Sequence, residues 1–481
     1  MTALLAAQNA PMADFSQDTW WIWLIKAVGI LVFLILNVLL ALWVERRGLG
    51  RMQTRPGPNV LGPFGAFQAI ADALKLVLKE DFWLKGADRI IYMLGPVIAA
   101  TSAFLIFAVI PMGGQVNMFG VETPLQLTDT PVAVLYILAI ASLGVYGIVL
   151  GGWASGSIYP LLGAVRSSAQ VISYELAMSL SLVSVFLMAG SMSTSQIVGT
   201  QTTFWWGFVL IPSFVLYIIS MVGEVNRLPF DLPEAEGELV AGHSTEYSSM
   251  KFAWFYLAEY INMMNVSAVA TTLFFGGYLA PFGLNQINQD EFGVGMLSQG
   301  WLGLLWFFLK MWFFMFLMVW TRGTLLRFRY DFFMNLGWKI LIPVGLVWIV
   351  ALACLQAVIQ FGELNIGTFL ILAAVMFVLV LGGLTLFGTK TDEDVDGEKR
   401  TPITGRVLED EVFASGQDFD AFAGGYPVPP LPGQVLPPSP RRTAKAAARA
   451  GTTPGGAPAD DAASVPDPNR TFTPSKEDND G

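Results

Sequence analysis

Tyr217-Ile-Ile-Ser-Met-Val-Gly-Glu224-Val-Asn-Arg227-Leu-Pro-Phe230-Asp231-Leu-Pro-Glu234-Ala-Glu236-Gly-Glu238 runs out of one apolar stretch, and the chain passes His243 and Glu246 before another begins near Phe252. Six carboxylates and one arginine lie between Glu224 and Glu246. The apolar runs on either side are long enough to cross a bilayer. The acidic loop therefore sits beside a membrane, where ionised groups are costly and usually belong to an ion path or a partner. A solvated acidic connector is the plain alternative. Against it, Leu228, Phe230, Leu232, Leu239 and Val240 are interleaved with the charges, and Pro229 and Pro233 set the backbone. The loop is expected to be packed and functional.

The rest of the chain supports that setting. It is 54% hydrophobic and only 13% charged, with a mean hydropathy of +0.57, outside the range of soluble globular proteins. A spanning helix needs about 20 predominantly apolar residues. Nine segments qualify: 21–44, 89–110, 132–152, 171–190, 205–223, 252–280, 301–320, 338–360 and 365–388. The alternating segments of a membrane β-barrel are absent from the sequence. The expected fold is all-α: a polytopic membrane protein of about nine transmembrane helices over 21–388, with cytoplasmic loops 45–88 and 224–251.

Lys and Arg set the expected orientation. Arg46, Arg47, Arg51, Arg55, Lys75, Lys79 and Lys85 crowd the first loop, Arg166 marks the third, Arg227 the fifth, and Arg322, Arg327 and Arg329 the seventh. The loops near 111–131, 191–204 and 281–300 contain neither residue type. The basic loops share one side, expected to be cytoplasmic in a bacterial cell membrane. Residues 1–20 then form a periplasmic N-terminal segment, with no basic region of the kind a cleaved signal peptide carries. Beyond Gly388, residues 391–481 carry 16 acidic and nine basic groups and 13 prolines. That composition predicts a disordered cytoplasmic tail over 389–481. Arg441, Arg442, Lys445 and Arg449 form a basic patch in it that could touch anionic lipid or an acidic partner; a tail without a site is the simpler reading.

Cys354 and His243 are the only residues of their kinds, so this chain by itself cannot hold an iron–sulfur cluster or a bis-histidine haem. No metal-ligand spacing, Gly-rich nucleotide loop or zinc motif occurs. The chain is expected to bind no metal, and nucleic acid is not an expected partner. Redox cofactors, if the reaction needs them, belong to other subunits.

The first loop runs Glu45-Arg46-Arg47-Gly-Leu-Gly-Arg51-Met-Gln-Thr-Arg55-Pro-Gly-Pro-Asn59, a rigid turn, into a stretch of helical period. Asp72, Lys75 and Lys79 share one face there, with Phe67, Ile70, Leu74 and Val77 largely opposite. Periodicity allows two readings equally: a helix lying on the membrane surface, or one bordering a lipid-side opening for a hydrophobic ligand.

These residues resemble the NuoH family, the membrane subunit of respiratory complex I whose mitochondrial counterpart is NADH dehydrogenase subunit one. Five further blocks carry the resemblance: Arg166 to Glu175, Glu224 to Glu234, Glu238 to Tyr247, Ala258-Glu259-Tyr260-Ile-Asn262, and Arg322 to Asp331. It covers about residues 20–388. Leu326 stands where the family usually has proline, a local departure. The resemblance implies a quinone tunnel leading toward an iron–sulfur cluster in a hydrophilic neighbour, and a charged path toward antiporter-like subunits. Carried over by motif, Arg46, Arg55, Asp72, Lys75, Phe230 and Asp231 would line the quinone passage. Glu175, Glu224, Glu234, Glu236, Glu238 and Glu246 would form the proton path, with Glu259 nearby. No residue of this chain is expected to be catalytic in the redox step. Quinone, either ubiquinone or menaquinone, would be substrate, and FMN and iron–sulfur clusters would sit in partner subunits.

Elementary chemistry fits those roles. Reducing a quinone draws protons into the cavity, so donors must meet the negative charge that develops. Carboxylates crowded among apolar groups repel one another and lose solvation, so some of the loop's carboxyls are expected to stay protonated. Glu175 and Glu259 could instead be simple helix-end charges. Lys310, within Trp306-Phe-Phe-Leu-Lys310-Met-Trp-Phe-Phe, lies too deep to snorkel. A buried partner, a neutral amine or a place on the proton path would account for it. His243 reads as a surface or hydrogen-bonded loop histidine, and Asn37 and Asn262 as interhelical hydrogen-bonding groups. Two other functions compete: the corresponding subunit of a membrane-bound hydrogenase-type complex, and a stand-alone secondary ion transporter. The complete first-loop pattern favours the respiratory enzyme, and the internal repeats of a transporter are absent from the sequence.

Overall fold

A computed structural model describes residues 12–202, 204–231, 241–281, 284–286, 295–328 and 330–361. All of them fall in the unit Met1–Thr389. The helices are α1 (Trp20–Met52), α2 (Gln68–Leu78), α3 (Arg89–Ile106), α4 (Ala133–Ala154), α5 (Ile158–Ala189), α6 (Thr194–Thr200), α7 (Trp206–Val209), α8 (Ile211–Glu224), α9 (Ser249–Phe274), α10 (Trp301–Thr324), α11 (Tyr330–Asn335) and α12 (Ile342–Phe361). A π turn, Leu336–Leu341, joins the last two. Between α3 and α4 an antiparallel hairpin pairs β1 (Gln115–Met118) with β2 (Val121–Pro124). Positive φ at Phe119 and Gly120 gives its two-residue turn the twist such hairpins favour.

Among the described residues, six helices are long and apolar enough to cross a membrane: Trp20–Met52, Arg89–Val109, Ala133–Ala154, Ile158–Ala189, Trp301–Thr324 and Tyr330–Gln356. The other three of the nine expected segments are not in this set. The segment 205–223 is interrupted at Leu210, and Pro212 opens the 14-residue α8; proline lacks the N–H an unbroken helix would need there. The segment 252–280 forms α9, 26 residues long, but its Lys251, Glu259, Asn262 and Asn265 keep it out of the apolar set. The segment 365–388 and the tail 389–481 lie outside the described residues.

The position of α9 explains its composition. It packs on α3 and α10 most heavily, and also touches α1, α2, α5 and α8. From Tyr260 to Phe274 nearly every side chain is buried. A helix enclosed by protein has no lipid-facing side, so its polar groups can be met by neighbours. The closest pairing is α3 with α4. A Cβ at Gly147 would lie 2.7 Å from the Ala99 nitrogen, so only glycine permits this approach. The acidic loop and the loop carrying α2 meet at one end of the bundle. The hairpin lies at the other.

Candidate functional site

Four elements bring charge together at the end of the bundle that carries the acidic loop. Glu45, near the end of α1, is 4% exposed. It accepts from Arg227 Nη1 at 3.2 Å, from Tyr260 OH at 2.7 Å, and from Arg322. Arg227 Nε also contacts Glu259 at 2.6 Å, and its guanidinium lies 4.4 Å from the Tyr260 ring centre. Burial alone would pull the Arg227 pKa down; Glu259, Tyr260 and Glu45 together push it well up, so its charge is fixed. Two carboxylates and two arginines thus form a closed knot tying α1, the acidic loop, α9 and α10.

Beside the knot is a cavity of about 100 Å³. One side is apolar, with Ile137, Val145, Val171 and Met178 among its residues. Glu224, Asn226, His243, Glu259 and Asn265 also line it. Glu224 Oε2, Asn226 Oδ1, His243 Nδ1 and Asn265 Oδ1 are buried without a hydrogen-bond partner. Unmet polar atoms gathered around one hollow are what ordered water satisfies. A water needs only about 10–15 Å³ of such space, so several fit. The loop and helix ends build the remaining geometry. Asn226 turns at φ 55, directing its side chain back toward α5, where its amide reaches Ser167 at 3.4 Å. His243 sits in a one-turn 3-10 segment, Gly242–Ser244, edge-on to Phe255. Burial pushes its pKa down to about 4, leaving a neutral imidazole at physiological pH.

The residues expected from sequence divide accordingly. Glu224 and Glu259 share the cavity, and Glu259 also belongs to the knot. Glu175, on α5, accepts from Ser142 of α4. Glu246 receives the Tyr92 hydroxyl on its backbone oxygen at 2.7 Å. Glu234, Glu236 and Glu238 lie outside the described residues. Arg46 and Asp72 form an ion pair, partly open to solvent, between α1 and α2, while Arg55 and Lys75 are exposed. Phe230 is not at an open surface. It is 6% exposed and packs on Phe333, Phe328 and Tyr174 with ring centres 4.6, 5.6 and 5.8 Å away. Asp231 follows it at the edge of the described loop. On α2 the apolar side chains Ile70, Leu74 and Val77 are all exposed.

Lys310 has the buried partner its position demanded. Its ammonium donates to the carbonyls of Phe275, Gly277 and Leu279 at 2.7, 3.0 and 2.6 Å, over the Trp205 ring at 4.5 Å. These carbonyls belong to the turn that ends α9, the negative end of a helix dipole. Asn37 bonds Trp312 Nε1 across to α10, the interhelical role expected of it.

Sequence reasoning missed Glu45, Arg322 and His243 as site residues. The signal for Glu45 was faint: a carboxylate just inside the end of an apolar run, opening Glu-Arg-Arg. Nothing in spacing links it to arginines 182 and 277 positions away.

A bundle of apolar helices, enclosing one polar helix and burying paired and unpaired charge at one end, defines a membrane protein built around internal ionisable groups. The chain belongs to the NADH dehydrogenase family, the NuoH-like membrane subunits of complex I: the family model described as NADH dehydrogenase matches residues 25–353. Membership places it in a multi-subunit membrane oxidoreductase.

Proposed function

We propose that this chain forms the membrane side of the quinone site in a proton-pumping NADH:quinone oxidoreductase and couples quinone reduction to proton movement. The supporting observation is the cavity with four unpartnered polar atoms, flanked by Glu224 and Glu259. A carboxylate–water–carboxylate arrangement can pass a proton or shift a charge when the neighbouring potential changes. In this reading Arg46, Arg55, Asp72, Lys75, Phe230 and Asp231 border the quinone passage. Glu175, Glu224, Glu234, Glu236, Glu238, Glu246, Glu259 and Lys310 carry the proton route. FMN and iron–sulfur clusters reside in hydrophilic partner subunits; small membrane subunits and antiporter-like subunits complete the assembly. The basic loops face the cytoplasm of a bacterial cell, and the N-terminus the outside.

Glutamine at position 224 or 175 keeps size and hydrogen bonding while removing the titratable proton. In the intact assembly, quinone reduction and proton translocation should then fall together, whereas NADH oxidation by a hydrophilic artificial acceptor, which takes electrons before the membrane site, persists. Normal reduction with normal pumping in both variants would reject these carboxylates.

A further inference from the structure

The surface helix α2 is held very differently at its two ends. Toward its start the links to α1 are exposed: the Arg46–Asp72 ion pair, 44% and 31% exposed on the two side chains, with Gln68 Nε2 donating to Asp72 at 3.2 Å, and, just before the helix, Trp43 Nε1 and Arg47 Nη1 donating to the Phe64 carbonyl at 3.1 and 2.8 Å. Its far end is gripped by the first turn of α9. Ser249 is 3% exposed and lies at φ 55, a left-handed conformation that serine adopts only when its surroundings require it. That conformation carries its hydroxyl to 3.1 and 2.9 Å from the Leu76 and Lys79 carbonyls, the orphan acceptors that end α2. Two residues on, Lys251 is 4% exposed. Its ammonium meets Asp81 at 3.0 Å and the Phe82 carbonyl at 3.3 Å, and lies 3.7 Å above the Trp83 ring centre. These partners are consecutive residues just beyond α2.

The same ammonium lies 5.0 Å from the Tyr92 ring. Tyr92 stacks on Tyr247 at 4.2 Å and 8°, and donates to the Glu246 carbonyl; Tyr247 donates back to the Tyr92 carbonyl at 3.1 Å. The contact chain is continuous: α2, Ser249 and Lys251, Tyr92, then Tyr247 and Glu246 at the end of the acidic loop.

We infer that Ser249 and Lys251 are positioning residues, clamping the far end of α2 to α9 and so setting where α2 stands relative to the acidic loop. A helix pinned by buried contacts at one end and held by exposed ones at the other moves as a lever. Displacing the exposed end loads the clamp and reaches Glu246 through the stacked tyrosines. Lys251 suits the task because a desolvated ammonium between a carboxylate, a carbonyl and an indole face holds three consecutive groups in place. The functional half of this inference rests on the quinone-passage reading of α2; the clamp itself does not.

The test uses the intact assembly with Lys251→Met, Lys251→Arg and Ser249→Ala. Backbone hydrogen exchange over residues 73–83 reports the clamp without any quinone. It should rise about tenfold in Lys251→Met and about fivefold in Ser249→Ala, as expected for losing one or two buried polar contacts, with Lys251→Arg near wild type. KM for a long-tailed quinone should rise about fivefold in Lys251→Met, be restored by arginine, and stay unchanged for a short-tailed quinone. Activity with the hydrophilic acceptor verifies assembly. If Lys251→Met fails to assemble, Ser249→Ala carries the same two readouts. Unchanged exchange over 73–83 would overturn the clamp. Raised exchange with unchanged KM would overturn its role in the passage while leaving the clamp standing.

Discussion

Two regions share α9 and treat charge in opposite ways. In the knot, Glu45 and Arg227 are buried and each is met by more than one opposite or hydrogen-bonding group. In the adjoining cavity, Glu224, Asn226, His243 and Asn265 keep unpartnered atoms facing a hollow. A buried charge held between opposite charges is locked, because losing either partner strands the other in low dielectric. An underpaired one can change its proton or its water at little cost. The knot therefore holds helices together, and the cavity is where the proposed function puts proton movement. Glu259 touches both, so the locked region borders the labile one.

The largest effect should come from opening the knot. Glu45→Ala leaves Arg227 and Arg322 without their shared carboxylate and should cost about 3–5 kcal/mol, seen as loss of the assembled complex or a sharply lower thermal inactivation temperature. A Glu45→Ala variant as stable as wild type would erase the distinction between the two regions.

Lys310 is a second buried group met by several acceptors. Lys310→Met strands three carbonyls at the end of α9 and should destabilise by about 3 kcal/mol, and the proton-to-electron ratio of the surviving enzyme should fall. An unchanged ratio with lowered stability would make Lys310 a structural group and take it off the route.

A smaller effect should come from the cavity's imidazole. His243 in the folded protein holds its proton only below about 4, against 6.5 for an ordinary histidine. The unfolded chain therefore binds a proton first as pH falls. The stability contributed by neutral His243 is complete above 6.5 and is lost progressively toward pH 4. His243→Gln should flatten that part of the pH–stability profile measured by thermal inactivation. An identical slope in the variant would mean the imidazole titrates normally.

The weakest contrast lies on α2. Asp72→Ala, which breaks the tie to Arg46, and Lys75→Ala should each lower turnover with long-tailed quinone about twofold to fivefold, the worth of an exposed pair. Lys79→Ala should be milder. Equal small losses at all three would leave α2 a plain membrane-surface helix.

Much of this was legible in the sequence, and the part that was not shares one cause. Long apolar runs set α1, α3, α4, α5 and α10, because a lipid-facing helix must be apolar wherever it meets lipid and composition alone records that. Clustered charge between such runs marked Glu224 and Arg227 as residues to watch, and a carboxylate inside an apolar run marked Glu259. Length and hydropathy alone did not separate α9 from a lipid-exposed span or reveal the break before α8. Both depend on what surrounds a segment, and burial among other helices is not written in the segment itself. Glu45 and Arg322 became site residues only when packing carried them to Arg227. His243 changed from a loop histidine to a cavity wall for the same reason. Sequence determined the helices and the kinds of charge between them; tertiary structure decided which charges are paired, because pairing depends on distance across the fold, not spacing along the chain.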